Sequence, residues 1–267
     1  MSERSLRSLY ISHGGGPLPL MGDPAHMELV ATLKQLAANM PRPEAIIVVS
    51  AHWEADVATV LEASAPPLYY DYSGFPPETY SISYPVAGHP ELAAEVRQCL
   101  AAEGLAPAAD SERGFDHGLF IPLKIMYPDA SIPCIQLSLL RSMDPAAHIR
   151  MGKALARLER PNVLLLGSGS SFHNLQAYFG KPDPDIYQRN QAFENWLVET
   201  LGEQSMDETE REQRLVQWST APHARYCHPR EEHLLPLHVC YGASASAASA
   251  VYRFNMLRML GSCYYWE

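Results

Sequence analysis

The 267-residue chain lacks the sequence features of several common protein classes. Its five cysteines are widely spaced and form no C-x-x-C pair, which argues against a disulfide framework or a structural zinc cluster. No apolar run is long enough to span a bilayer, and the N-terminus has no apolar core for export. Acidic residues outnumber basic ones by 30 to 20, so a nucleic acid or an anionic membrane would be repelled. These absences predict a cytoplasmic protein with neither of those partners.

Short catalytic signatures are missing as well. There is no G-x-S-x-G nucleophile elbow, although "HGGGP" has the composition of a lipase oxyanion loop. No Walker loop occurs, "GSGSSF" lacks the third glycine of a dinucleotide fingerprint, and the H-E-x-x-H zinc motif is absent. Chemistry in this chain therefore has to come from residues that are distant in sequence.

The pattern of apolar residues predicts alternating strands and helices. Short runs rich in Val, Ile or Leu predict strands at 6–12, 45–51, 132–139 and 162–168, with a weaker one at 57–63. Helical patterns cover 25–40, 89–104, 144–159 and 187–203. Without internal repeats or linkers, this order predicts one α/β domain over residues 1–267. Its architecture would be a three-layer sandwich with a mostly parallel central sheet flanked by helices.

Three segments do not follow the alternation. Residues 64–90 are dense in Pro, Gly and Tyr and predict a long ordered loop, whose tyrosines either line a pocket or pack the loop against the body. Residues 203–214 are highly charged and predict a surface connection or the end of a helix. The aromatic segment 250–267 predicts a strand that completes the core.

Five histidines stand at the boundaries of predicted elements. His13, His52 and His173 each follow a strand, and the carboxyl ends of parallel strands form the edge of a sheet where ligands bind. His117 in "GFDHG" begins an element, and His233 in "EEHLLPLHV" lies in a short predicted helix whose Pro236 is tolerable if the helix is short or kinked. Neutral imidazoles suit Fe, Zn, Cu or Ni better than Mg or Ca, so these residues predict a transition-metal site.

The other six histidines are predicted to lie outside that site. His26, His89, His148 and His223 stand beside helix starts or in loops and predict surface or capping positions. His228 and His238 are each five residues from His233, a spacing that does not share a helix face.

Five ordered motifs resemble the class III extradiol ring-cleavage dioxygenases, in particular the branch named for 4,5-DOPA extradiol dioxygenase. The motifs are "SHGGGP", "VVSAHWE", "GFDHG", "SGSSFHN" and "EEHLLPLHV", and they span the chain from His13 to about Gly242. The resemblance implies a single α/β domain with one non-haem divalent metal per chain, held by His13, His52 and His233. It further implies that His173 is an acid/base group, or an additional ligand when zinc is bound, and that His117 lines the pocket.

One feature departs from the usual pattern of these enzymes. Ring-cleaving dioxygenases normally use two histidines and one carboxylate, whereas the matching motif here offers His233. Glu232 is the alternative third ligand.

The resemblance implies that a catechol of the DOPA type is opened by O₂ to a semialdehyde, with Fe(II) as the active metal. Zn(II) in the same site would not support this reaction, because zinc has no accessible second oxidation state. Two other functions stay open: a zinc amidase or esterase using the same histidines, and a non-catalytic binding protein of this fold. The substrate, the ring bond cleaved, the native metal and the oligomeric state are not fixed by the sequence.

Overall fold

The computed structural model of the protein describes residues 6–180 and 184–267. The prediction of a non-exported N-terminus rests partly on residues 1–5, which lie outside the described residues. Eight strands form one sheet in the order β4-β3-β5-β2-β6-β1-β8-β7. They are β1 (Leu6–Ser12), β2 (Ala45–Ala55), β3 (Thr59–Leu61), β4 (Ala108–Asp110), β5 (Cys134–Leu140), β6 (Val163–Gly169), β7 (Ala250–Met256) and β8 (Met259–Trp266).

The centre of this sheet is parallel. Strands β5, β2, β6 and β1 pair in parallel, with Val48 of β2 opposite Leu166 of β6 and Leu9 of β1 opposite the same leucine. The C-terminal strands β8 and β7 add antiparallel pairs beside β1. The predicted, mostly parallel sheet is confirmed, and its four central strands end at one common edge.

The described residues form nine α-helices. These are α1 (Met27–Asn39), α2 (Pro90–Ala102), α3 (His117–Met126), α4 (Pro145–Leu155), α5 (Leu175–Phe179), α6 (Ile186–Gly202), α7 (Glu208–Val216), α8 (Ala224–Cys227) and α9 (Leu235–Ser244). Short 3₁₀ turns cover Leu18–Met21, Pro24–His26, Pro77–Ser81 and Trp218–Thr220. None of the helices in the described part of the chain has the length and apolarity needed to cross a membrane.

The helices cover both faces of the sheet. Alternate residues of β2 point to opposite sides, so that Ile47 belongs to one apolar core and Ile46 to the other. The first core includes apolar residues of α2, α4, α6 and α9, and the second includes those of α1 and α3. This is the predicted three-layer sandwich in a single α/β domain.

Several local predictions need correction. Residues 203–214 are not only a connection, because Asp207 accepts hydrogen bonds from the backbone of Thr209 and Glu210 and thereby caps α7. Residues 250–267 form a two-stranded hairpin rather than one strand, with a turn at Leu257 and Arg258 where φ is positive. The short edge strand β4 was not predicted.

Candidate metal centre

The edge of the parallel sheet brings the strand-borne histidines together. His13 follows β1, His52 lies near the end of β2, and His173 follows β6, which is placed between those two strands. His117 is the first residue of α3, and His233 lies in the turn before α9. The pairing of β1, β6 and β2 therefore accounts for the meeting of residues that are far apart in sequence.

Three of these imidazoles converge on one point. Nε2 of His13 lies 3.0 Å from Nε2 of His52. The ring of His233 lies 5.2 Å from that of His13 and 5.0 Å from that of His52, centre to centre. One ring nitrogen from each of the three lies within 4.8 Å of the others. These are donor atoms placed as a single metal ion would require.

The opposite nitrogen of each ring faces another polar group. Nδ1 of His13 lies 2.9 Å from Oγ of Ser168, a hydroxyl that itself donates to the carbonyl of Gly118 at 2.5 Å. Ser168 is therefore an acceptor toward His13, which places the imidazole proton on Nδ1 and leaves the Nε2 lone pair free. Nδ1 of His233 lies 2.9 Å from Oε1 of Glu232. Such hydrogen bonds at the far nitrogen are typical of metal-binding histidines.

His173 and His117 flank this group on opposite sides. The ring of His173 is stacked on that of His233, with centres 3.4 Å apart and planes 16° apart. The ring of His117 lies 3.9 Å from that of His52, and its Nδ1 lies 2.8 Å from Oδ1 of Asp71. All five histidines predicted to form the site are thus in one cluster.

Burial keeps the central imidazoles uncharged. Desolvation, reinforced by the neighbouring His117, holds the pKa of both His13 and His52 well below the ordinary value. Desolvation and the adjacent His173 lower the pKa of His233 to about 4. Neutral histidine is the form that binds a metal. The site is therefore in its ligand-competent state at neutral pH.

The two carboxylates of the site are ionised. Burial alone would raise the pKa of Glu232, but hydrogen bonds from His173 and His233 outweigh it and hold that pKa well below the usual range. Burial likewise opposes ionisation of Asp71, and its bonds to His117 lower the pKa of that carboxyl.

The backbone that carries His233 is fixed by its neighbours. Its carbonyl accepts hydrogen bonds from the Ser170 amide at 3.0 Å and from the buried Tyr10 hydroxyl at 2.8 Å. Any side chain at Gly169 would overlap this carbonyl. The close approach of β6 to the turn before α9 thus depends on a glycine.

The glycines after His13 serve the fold of their own loop. Gly14 has a φ of +85°, and the amide of Gly15 donates to Nε2 of the buried His26 at 3.1 Å. These glycines therefore permit a left-handed turn that packs against His26.

The tyrosine-rich loop borders the site and is held by its own hydrogen bonds. The hydroxyl of Tyr70 donates to the carbonyl of Ile82, and that of Tyr72 to the carbonyl of Thr79, each at 2.7 Å. The ring of Tyr72 lies 5.8 Å from that of His117. The tyrosines therefore pack the loop, and one of them, Tyr72, also lies beside the histidine cluster.

A cavity of about 350 Å³ opens beside the cluster. It is lined by His173, Asn174, Leu175, Gln176, Pro229, Arg230 and Glu232. Arg230 is fixed there by two hydrogen bonds of 2.6 Å to Glu54, which ties the end of β2 to the turn that carries His233. The cavity gives a small molecule access to His173.

Two of the remaining histidines were predicted wrongly as surface or capping residues. His26 is fully buried between Gly15 and Asp23. His148 is also buried, where its Nε2 accepts from the amide of Leu140 at 3.1 Å. Each has a polar partner inside the protein, which compensates the cost of burial.

The predictions for the other four histidines outside the cluster agree with the structure. His89 caps α2 by accepting from the amide of Leu92, and His223 is exposed at the start of α8. His228 and His238 are buried and bond to the backbone carbonyls of Ser171 and Leu215 respectively.

Sequence reasoning missed the residues that support the cluster. Asp71 lies within the tyrosine-rich loop, and Ser168 lies within a glycine- and serine-rich turn. The buried Asp116, which binds Ser50, Arg113 and Gln136, precedes His117 in the "GFDHG" motif. The tyrosine-rich loop contains two acidic residues, Asp71 and Glu78, so an acidic residue among aromatic ones was the only available signal for Asp71.

Residues 9–260 match the family model described as the catalytic LigB subunit of aromatic ring-opening dioxygenase. The dioxygenase tasH of Hapsidospora irregularis is 41% identical over 88% of this chain and 76% of its own length. The 4,5-DOPA dioxygenase extradiol of Beta vulgaris is 34% identical over 93% of this chain and 91% of its own length.

A protein of the same name from Escherichia coli K12 is 34% identical over 91% of this chain and 87% of its own length. The crystal structure of an uncharacterized protein from Escherichia coli K12 superposes with a TM-score of 0.77 at 29% identity, covering 98% of this chain and 99% of that one. The chain therefore belongs to the LigB family of extradiol aromatic ring-opening dioxygenases.

Proposed function

We propose that this dioxygenase opens the ring of a DOPA-like catechol with O₂ to give a semialdehyde, at one Fe(II) held by His13, His52 and His233. The observation that carries this proposal is the convergence of three neutral imidazoles, with the Nε2 atoms of His13 and His52 only 3.0 Å apart. Relatives named 4,5-DOPA dioxygenase extradiol support the choice of substrate class.

The donor set fits a transition metal. His13 and His233 are buried, His52 is partly buried, and Nδ1 of both His13 and His233 is engaged by a polar partner. Nitrogen donors of this kind favour iron, zinc or copper over magnesium and calcium. When bound, Fe(II) supplies the redox chemistry between the catechol and O₂ that Zn(II) cannot supply.

His173 is the proposed proton acceptor. Its Nδ1 lies 3.3 Å from the ionised Glu232, so the ring proton is held on that side and the Nε2 lone pair is available to a catechol hydroxyl. Its side chain is 25% exposed and lines the cavity, so a bound substrate can reach it. In a zinc-loaded protein, His173 is instead a candidate for an additional ligand.

His117 is proposed to orient the substrate or O₂ from the opposite side. Asp71 fixes its Nδ1, and the ring of Tyr72 lies edge-on beside it. The aromatic ring of a catechol bound beside His117 would contact Tyr72 of the tyrosine-rich loop.

Oxygen uptake is the direct test. The protein reconstituted anaerobically with Fe(II) is assayed with a panel of catechols that includes DOPA, beside His13→Ala and His233→Ala. We expect O₂ consumption and a new yellow chromophore with the wild type, and neither with the two variants. A protein that holds one metal per chain yet consumes no O₂ with any catechol would refute the proposal.

We further propose that residues 1–267 act as one catalytic domain in the cytoplasm. The five cysteines are free, as expected in a reducing compartment. The relatives named above are dioxygenases, which favours ring opening over a zinc hydrolase or a non-catalytic binding protein.

A further inference from the structure

Two carboxylates flank the histidine cluster, and each one faces two imidazoles. Oε1 of Glu232 lies 2.9 Å from Nδ1 of His233 and 3.3 Å from Nδ1 of His173. Asp71 lies on the other side, with Oδ1 2.8 Å from Nδ1 of His117 and Oδ2 3.7 Å from Nδ1 of His52. In both cases the pair combines one proposed metal ligand with one proposed pocket histidine.

We propose that Glu232 and Asp71 are positioning residues with different tasks: Glu232 orients the metal ligand His233 together with His173, and Asp71 orients His117. This inference rests on the metal site proposed above. It also assigns Glu232 a role outside the metal's own ligand set.

The contacts of Glu232 support this assignment. One oxygen faces two nearly parallel rings only 3.4 Å apart, and it can accept a hydrogen bond from both Nδ1–H groups at once. With the ring proton on Nδ1, the lone pair of each ring lies on Nε2, on the side away from the carboxylate. Oε2 has no hydrogen-bond partner among the described residues, and Nη1 of Arg230 is 3.6 Å away. A metal bound by Glu232 is therefore the competing interpretation to be tested.

The contacts of Asp71 are unequal. Its Oδ1 accepts both from Nδ1 of His117 and from the backbone amide of that residue at 2.9 Å, whereas His52 lies beyond hydrogen-bond distance. Asp71 thus fixes the ring and the first turn of α3 together. Because Asp71 belongs to the tyrosine-rich loop, the same bonds attach that loop to the site.

The two proposed roles predict that mutation affects metal affinity in one case and kcat in the other. Removing a hydrogen bond to a metal-binding histidine costs about 10- to 100-fold in metal affinity. We expect Glu232→Gln to weaken Zn²⁺ binding by about that factor, since the amide is a neutral and weaker acceptor. We expect Asp71→Asn to leave Zn²⁺ affinity within about threefold and to lower kcat about tenfold or more, since His117 loses its orientation.

The experiment uses the full chain loaded with Zn²⁺, which is diamagnetic. Chelator competition measures the Zn²⁺ affinity, ¹⁵N NMR of labelled histidine reports which ring nitrogen carries the proton, and X-ray absorption reports the ligand atoms. We expect Glu232→Gln to change the signals of His233 and His173, Asp71→Asn to change those of His117, and neither to alter the ligand shell.

Matched controls lie nearby in the sequence. Glu231→Gln removes the neighbouring carboxylate, which pairs with Arg225 at 2.5 Å, and Asp56→Asn removes one that pairs with Arg141 at 2.9 Å. Neither should change zinc affinity or the histidine signals. If Glu232→Gln does not fold, Glu232→Asp keeps the charge but withdraws the carboxylate by one methylene, and the same loss is expected.

Loss of an oxygen ligand from the zinc shell in Glu232→Gln would show that Glu232 binds the metal, which overturns the inference. Equal losses of Zn²⁺ affinity in Glu232→Gln and Asp71→Asn would overturn the division of tasks. Absence of ring opening in the wild type would count against the proposed function alone, because zinc affinity and the NMR signals do not depend on turnover.

Discussion

Replacement of Gly14 by alanine tests how tightly the loop after His13 is packed. A Cβ at this position would lie 2.5 Å from Cγ of Pro19, 3.1 Å from Cδ2 of His26 and 3.2 Å from Cδ2 of Leu29. All three neighbours are buried, and the ring of His26 is fixed by hydrogen bonds to Gly15 and Asp23. The clash therefore cannot be relieved by rotation of a flexible side chain.

The expected cost has two parts. Alanine at a φ of +85° costs about 1–2 kcal/mol from backbone conformation alone. Overpacking of a filled site adds about 1–3 kcal/mol. The sum predicts that Gly14→Ala lowers the free energy of unfolding by about 2–5 kcal/mol.

Gly22→Ala separates the two contributions. Gly22 has a similar φ of +74°, and no described atom lies within 4 Å of the added Cβ. We expect a loss of only about 1–2 kcal/mol in urea unfolding. Gly14→Ala should also lower kcat, by roughly 100-fold if His13 moves by about 1 Å. If Gly14→Ala is no less stable than Gly22→Ala, the packing argument is wrong.

Three further predictions concern the metal and the buried polar groups. Ser168→Ala removes the acceptor for Nδ1 of His13 and should weaken Zn²⁺ binding about 10- to 100-fold in chelator competition. Chelation should abolish O₂ uptake, which Fe(II) should restore and Zn(II) should not. Desolvation raises the pKa of Glu194 from 4.5 to about 7 despite hydrogen bonds from Ser171 and Ser262, so the folded state favours the protonated acid. The contribution of Glu194 to the free energy of unfolding should therefore be fully present below pH 4.5. It should be lost as the pH rises to about 7, a change of about 3 kcal/mol in total. Glu194→Gln should flatten that part of the urea-unfolding profile between pH 5 and 8, and an unchanged slope would contradict the assignment.

The fold was predictable from sequence where the burial of apolar side chains alone determines which residues a strand contains. Strand β6 is buried on both faces because helices cover both sides, so its first four residues are a continuous run of Val and Leu. The short strand β4 at the edge of the sheet could not be found in this way, because Ala108–Asp110 is partly exposed and has no apolar pattern. The hairpin of β7 and β8 was read as one strand because its turn at Leu257 and Arg258 contains neither glycine nor proline.

The residues of the site likewise divide into those that the sequence could predict and those that it could not. His13, His52 and His173 were predictable because each follows an apolar run of a strand, and the sheet, rather than any local contact, brings these strand ends together. His26 has the same local sequence pattern as a capping residue, yet it is buried beneath the loop after β1. Local sequence could not predict this, because the burial of His26 depends on which loop folds over it. Asp71 lies in a segment without periodic structure, and its partner His117 is 46 residues away. The position of a residue that orients another side chain is determined only by the tertiary fold. The carboxylates that orient the histidines are therefore the part of this site for which mutation, rather than sequence, is the decisive evidence.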